Sequence, residues 1–134
     1  MYVDMVADLF HYGHVNFLRQ AKLHGDFLLV GVHSDETVTN YKRNPILSME
    51  ERVLSVAGCR YVDEVVPNAP LEITLDWIEK HNIDLIIHGD DVAPEIRDAW
   101  YGVPIKMGIY KSVGYTSGIS TTELISRIRG ADIA

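Results

Sequence analysis

Two histidines that straddle a glycine, in His11-Tyr12-Gly13-His14, are the side chains of this chain best suited to work on a phosphate. Transfer of a nucleotidyl group passes through a phosphorus centre carrying extra negative charge, and imidazole N–H donors fixed against that charge stabilise it. The glycine would let a phosphate approach the backbone. A helix starting at the same place would aim its amide end at the anion. The plainer alternative is a pair of histidines in a solvated turn. A second candidate is Gly118-Ile119-Ser120-Thr121-Thr122, whose amides and hydroxyls suit the outer phosphates of a nucleoside triphosphate. There Ser120 also reads as an ordinary helix cap.

The elements that must position these residues follow from apolar periodicity. Strands are expected at Tyr2 to Val6, Phe27 to His33, Glu64 to Val66 and Leu85 to His88, with an edge strand at Val103 to Ile109 weakened by Pro104. Helices are expected from His14 to His24, from Ser48 to Ala57 behind a Ser48/Glu51 capping box, from Pro70 or Leu71 to Lys80, and from Ser120 to Arg129 behind a Ser120/Glu123 box. Strands separated by helices imply a parallel sheet covered on both faces, an α/β doubly wound, Rossmann-like, three-layer domain. Ligands of such sheets sit outside the carboxyl ends of the strands. Asp8 to His14, His33 to Asp35 and His88 to Asp91 all fall there.

A chain of 134 residues fits one domain, with 47% apolar residues for its core. Residues 1–130 read as that domain, and 131–134 as a tail compatible with a truncated linker to another domain. The single cysteine, Cys59, cannot form an internal disulfide and reads as a small buried hydrophobe. No stretch approaches the roughly 20 apolar residues of a membrane span, and no signal-type segment opens the chain. The expected compartment is the cytoplasm. A net charge of −7 argues against a nucleic-acid surface, yet a local cradle of amides, His, Lys and Arg can hold a small anion. The six histidines and one cysteine give no convincing zinc spacing.

The chain resembles the cytidylyltransferases of the HxGH nucleotidyltransferase superfamily, the phosphoethanolamine type most of all. The matching stretches are HYGHVNFLRQAK from His11, GDFLLVGVHSDE from Gly25, the Lys42 to Arg52 segment with its EER, CRYVDEVVPNAP from Cys59, HGDD from His88 and GISTTELISRI from Gly118. The resemblance implies CTP as nucleotide, pyrophosphate as leaving group, Mg²⁺ on the phosphates and a homodimer. By position it places His11 and His14 on the α-phosphate and Lys42 on the phosphates of CTP or acceptor. Val6, Ala7, Asp8, Gly13, His88 and Gly89 would border the nucleotide, with Asp8 near it or the metal. Asp91 would accept from the cytosine amino group, and Gly118 to Thr122 would hold the triphosphate. Arg60, Asp63 and Tyr115 would shape the acceptor site.

Two stretches depart from the family pattern. A glycine, a small residue and an aromatic usually precede the first-loop aspartate, where this chain has Met5-Val6-Ala7-Asp8. An arginine usually opens the last motif, where this chain has Tyr115; Lys111, Arg127 or Arg129 is the expected substitute. These departures point to a phosphonate acceptor, 2-hydroxyethylphosphonate being the first choice, with phosphoethanolamine or glycerol 3-phosphate as alternatives. An adenylyltransferase of the same superfamily and a catalytically silent nucleotide-binding module are the rival readings. His33 and His88 fit the rim of a site or the edge of a core equally well. His24 and His81 read as helix-end residues, Trp77 as packing, and Trp100 and Tyr101 as cover for an acceptor or a dimer contact.

Overall fold

The computed structural model describes residues 1–131; of the expected tail at 131–134, residues 132–134 lie outside the described residues. Strands β1 (Tyr2–Met5), β2 (Leu29–Val32), β3 (Glu64–Pro67), β4 (Ile86–Gly89) and β5 (Tyr110–Val113) form one sheet in the order β3-β2-β1-β4-β5. Every neighbouring pair is parallel. Helices α1 (Tyr12–Lys22), α2 (Asp35–Tyr41), α3 (Met49–Ala57), α4 (Leu75–Lys80), α5 (Pro94–Lys106) and α6 (Thr121–Gly130) connect the strands and follow the last. Among the described residues no helix is long and apolar enough to cross a membrane.

Successive residues of each central strand point to opposite faces, and the core divides accordingly. Val3, Val30 and Ile87 join Leu18 and Ala21 of α1 and Val56 of α3 in one cluster. Tyr2, Leu29 and Ile86 join Ile73, Ile78 of α4 and Tyr101 of α5 in the other. The three layers expected from the sequence are present. The chain winds outward from β1 to β3, then crosses back to β4 on the other side of β1. That reversal opens a crevice above the carboxyl ends of β1 and β4.

Three local expectations are corrected. Val103 to Ile105 are not strand but the end of α5, and the edge strand begins at Tyr110. A proline inside a helix leaves the carbonyl four residues earlier without a donor. For Pro104 that carbonyl belongs to Trp100, and the amide of Ile73 fills it at 2.8 Å. The fold therefore repairs from outside what the sequence alone presents as a break. Second, α4 starts at Leu75 behind a Thr74 cap, later than expected, and α2 behind Ser34 was not expected at all. Third, only one of the two expected capping boxes closes. Ser48 and Glu51 exchange both bonds, whereas Glu123 turns away from Ser120 to pair with Arg127.

Candidate functional site

The turn from β1 into α1 carries the two histidines, and they build the helix start themselves. The ring of His11, the N-cap residue, accepts from the Gly13 amide through Nδ1 at 3.0 Å. The ring of His14, three residues on, accepts from the His11 amide through Nδ1 at 3.1 Å. This is a reciprocal capping box with imidazoles in place of the usual hydroxyl and carboxylate. An Nδ1 that accepts from an amide carries no proton, so in each neutral ring the proton sits on Nε2. Both rings are held in the neutral form. Burial lowers the His14 pKa to about 3, with His11 and Lys42 adding to the effect, and burial lowers that of His11 as well. The ring centroids lie 3.9 Å apart, and Phe10 stacks on His14. Two neighbouring Nε2–H donors with fixed tautomers result.

Gly13 also serves the capping ring itself. A Cβ there would lie 2.8 Å from Cε1 of His11 and 3.3 Å from Ile119. The missing side chain makes room for the capping ring, and Gly13 itself lines the cavity described next.

The histidines open into a cavity of about 660 Å³ at the carboxyl ends of β1 and β4, a size that suits a nucleotide-sized ligand. Most of the expected residues meet there. Val6, Ala7, Asp8, Gly13, Lys42, His88, Gly89, Asp91, Tyr115, Ile119, Ser120, Thr121 and Thr122 line it, and so do His33, Trp100 and Tyr101. Gly118 lies just outside, in a left-handed conformation (φ +85°) that favours glycine, with its carbonyl taken by Arg127. The hydroxyl of Thr121 donates to the carbonyl of Asp8 and locks the start of α6 to the first loop. Ser120 Oγ takes the Glu123 amide, and the amides of Thr121 and Thr122, which a helix start leaves without partners within the helix, remain suited to an anion.

Asp8 lines the cavity with a carboxylate that also braces a neighbouring segment. Its two oxygens accept from the amides of Ile46 and Leu47 at 2.8 and 2.9 Å, which pins the far end of the segment that carries Lys42. Lys42 caps the end of α2. Crowding by the surrounding protein lowers its pKa; Arg43 adds to this and Asp91 opposes it. Among the described residues no three His, Cys, Asp or Glu side chains converge as a metal site.

Arg60 and Asp63 are not brought to the cavity. They precede β3, at the amino end of a sheet whose cavity lies at the carboxyl end. Asp63 pairs with Lys22 and accepts from the Leu28 amide, contacts that hold its pKa below the usual carboxylate range. The guanidinium of Arg60 lies over the Tyr61 ring. Both are committed to local structure within this chain. None of the expected substitutes for the missing arginine, Lys111, Arg127 and Arg129, lines the cavity either. His24 and His81 also stay away, and His81 packs on Trp77.

Two residues that sequence reasoning missed organise the site. Asp4, mid-strand in β1 and 3% exposed, accepts from the Tyr101 hydroxyl at 2.7 Å through Oδ1, and its Oδ2 has no hydrogen-bond partner. Nε2 of His33 lies 3.8 Å from one oxygen and Nε2 of His88 3.9 Å from the other. His33 donates through Nδ1 to the Ala69 carbonyl, and burial beside Asp4 drives the Tyr101 pKa far up, keeping it a proton donor. An acid in an otherwise apolar strand is costly unless used, and that was the available signal. Arg52, fully buried, donates to the carbonyls of Val6, His33 and Leu47 and to Asp35. One guanidinium thus ties together the loops after β1 and β2 and the segment leading to α3.

A family model described as cytidylyltransferase-like matches residues 5–127. An ethanolamine-phosphate cytidylyltransferase of Dictyostelium discoideum is 47% identical over 96% of this chain and 37% of its own length. One from Arabidopsis thaliana is 46% identical over 96% and 32%, and the human choline-phosphate cytidylyltransferase A is 39% identical over 96% and 36%. The chain thus spans about a third of the length of these relatives. In fold it is similar to the crystal structure of a lipopolysaccharide core biosynthesis protein from Thermoplasma volcanium, with a TM-score of 0.70 at 24% identity, covering 88% of this chain and 96% of that one. With its reciprocal histidine cap set at the crevice of a five-stranded parallel sheet, the chain belongs to the cytidylyltransferase-like family.

Proposed function

We propose that this chain is the domain of a CTP-dependent cytidylyltransferase that moves CMP onto phosphoethanolamine and releases pyrophosphate. The observation that carries the reading is the pair of neutral imidazoles whose Nδ1 atoms are occupied by backbone amides. A phosphate oxygen of the acceptor attacks the α-phosphorus, and the bond to pyrophosphate breaks. Charge builds on the α-phosphate oxygens as this happens. The Nε2–H groups of His11 and His14 donate to those oxygens without having to reorient, which is how preorganised donors lower a barrier. The amides opening α6 hold the outer phosphates. Asp91, at the lip of the cavity, accepts from the cytosine amino group. Mg²⁺ would be carried on the phosphates of CTP and would offset their charge, with the Asp8 carboxylate bordering the same cavity.

The acceptor is taken as phosphoethanolamine rather than a phosphonate. The 47%- and 46%-identical relatives carry that substrate in their names, and the buried Asp4 supplies a negative group at the cavity floor suited to an ammonium. A neutral hydroxyl, as in 2-hydroxyethylphosphonate, would gain less there. Pairing of two copies accompanies this reading. The test is pyrophosphate release with CTP and four acceptors: phosphoethanolamine, phosphocholine, glycerol 3-phosphate and 2-hydroxyethylphosphonate. The highest kcat/KM is expected with phosphoethanolamine. Equal or faster turnover of the phosphonate would overturn the acceptor assignment. CTP binding without pyrophosphate release from any of the four would overturn the catalytic one.

A further inference from the structure

A triphosphate brings several negative charges into a cavity with few cations. Its acidic side chains are Asp4, Asp8 and Asp91, and among the lysines and arginines of the described residues only Lys42 and Arg43 line it. The paired histidines are held neutral. Nearby guanidiniums are committed: Arg52 to three carbonyls and Asp35, Arg127 to Glu123 and the Gly118 carbonyl. Arg43 differs. It is half-buried, it lines the cavity, and its Nε is shielded from water with no hydrogen-bond partner. A shielded donor without an acceptor is unfavourable, and a phosphate oxygen would relieve it. The backbone around Arg43 is held on both sides. The Lys42 amide bonds the Val38 carbonyl at 2.9 Å, and Asp8 clamps Ile46 and Leu47.

We propose that Arg43, carried on the segment between α2 and α3, is the guanidinium that grips the outer phosphates of the nucleotide. The inference rests on the CTP reading above. A guanidinium offers phosphate two parallel donors, which an ammonium cannot copy. The contact belongs to the β- and γ-phosphates, so it should discriminate between CTP and CMP.

The experiment is calorimetric titration of CTP and of CMP into the wild type, Arg43→Ala and Arg43→Lys, with thermal melting as the control for folding. Arg43→Ala should weaken CTP binding about 10- to 100-fold, the range for a charge-assisted contact, and leave CMP binding within about 2-fold. Arg43→Lys should fall between wild type and Arg43→Ala for CTP. A loss for CTP below about 3-fold, or an equal loss for CTP and CMP, overturns the assignment. If Arg43→Ala fails to melt cooperatively, Arg43→Lys decides alone, and wild-type affinity in it would overturn the bidentate grip. Failure of the wild type itself to bind CTP would instead overturn the nucleotide reading, so the two failures are distinguishable.

Discussion

His14 is predicted to do two separable jobs, and three substitutions should pull them apart. Its Nδ1 accepts from the His11 amide, and its ring packs against Phe10 and His11. Its Nε2–H faces the cavity chemistry. His14→Ala removes all of this. Losing a cap acceptor costs about 1 kcal/mol, and losing the ring contacts costs about 1 kcal/mol more. His14→Asn puts an amide oxygen close to where Nδ1 was, so it keeps the cap and loses only the packing and the Nε2 donor. Alanine's better helix propensity, about 0.5 kcal/mol, narrows the gap. His14→Asn should therefore remain more stable than His14→Ala by about 0.5 kcal/mol, a Tm difference of about 2 °C for a domain of this size. Both should lose about 10²- to 10³-fold in kcat, because both lack the transition-state donor. His14→Gln serves as the reference for the cap: glutamine at this helix position reaches back to the N-cap amide, as Glu51 does in α3, so it should match or exceed His14→Asn in stability while losing about 10²- to 10³-fold in kcat with the donor.

The assays are pyrophosphate release under saturating CTP and thermal melting of the same preparations. Near-normal turnover by His14→Asn would refute the donor role. Identical melting of the alanine and asparagine variants would refute the cap.

Further outcomes follow from the same geometry. The unfolded chain takes up a proton on His14 near pH 6.5 and the folded chain only near pH 3, so between those values the unfolded state binds more protons and stability falls with acidification. Urea unfolding should show wild type losing about 1 kcal/mol per pH unit more than His14→Asn below pH 6.5, and parallel curves would contradict it. Arg52→Leu should cost at least about 3 kcal/mol, roughly 1 for each of the carbonyls of Val6, His33 and Leu47 left without a donor; a smaller loss in urea unfolding would show that water replaces the guanidinium. Asp91→Ala should reduce the preference for CTP over UTP by at least about 10-fold in kcat/KM, and an unchanged ratio would remove Asp91 from base recognition.

What the sequence made legible were features decided locally. The apolar runs around Val3, Val30 and Ile87 are strands because nothing but a doubly covered sheet accommodates them. The His11–His14 spacing set the site because a cap and its N3 partner are fixed by the first turn of a helix. What escaped were features completed by distant residues. Pro104 reads as a break until Ile73 reaches Trp100. That Asp8 braces the segment before α3 shows only once Ile46 and Leu47 bring it their amides. Arg60 and Asp63 read as acceptor residues because their motif is shared, yet strand direction sends them to the opposite end of the sheet from the histidines.

The histidine turn explains why so short a motif can serve both folding and chemistry. A capping residue must present an acceptor to amides at the helix start, and a phosphate site needs donors at that same point. Serine or aspartate would satisfy the first need, but an aspartate would repel the phosphate. Imidazole has two nitrogens of opposite character in its neutral form. One faces inward to the amides of His11 and Gly13, and the other carries its proton outward. Protonating the inward nitrogen would break the cap, so the hydrogen bonds that start the helix also resist the charged form, in the same direction as burial. The helix start and the donor pair are one set of bonds, and either imidazole can be lost from one role only by weakening the other.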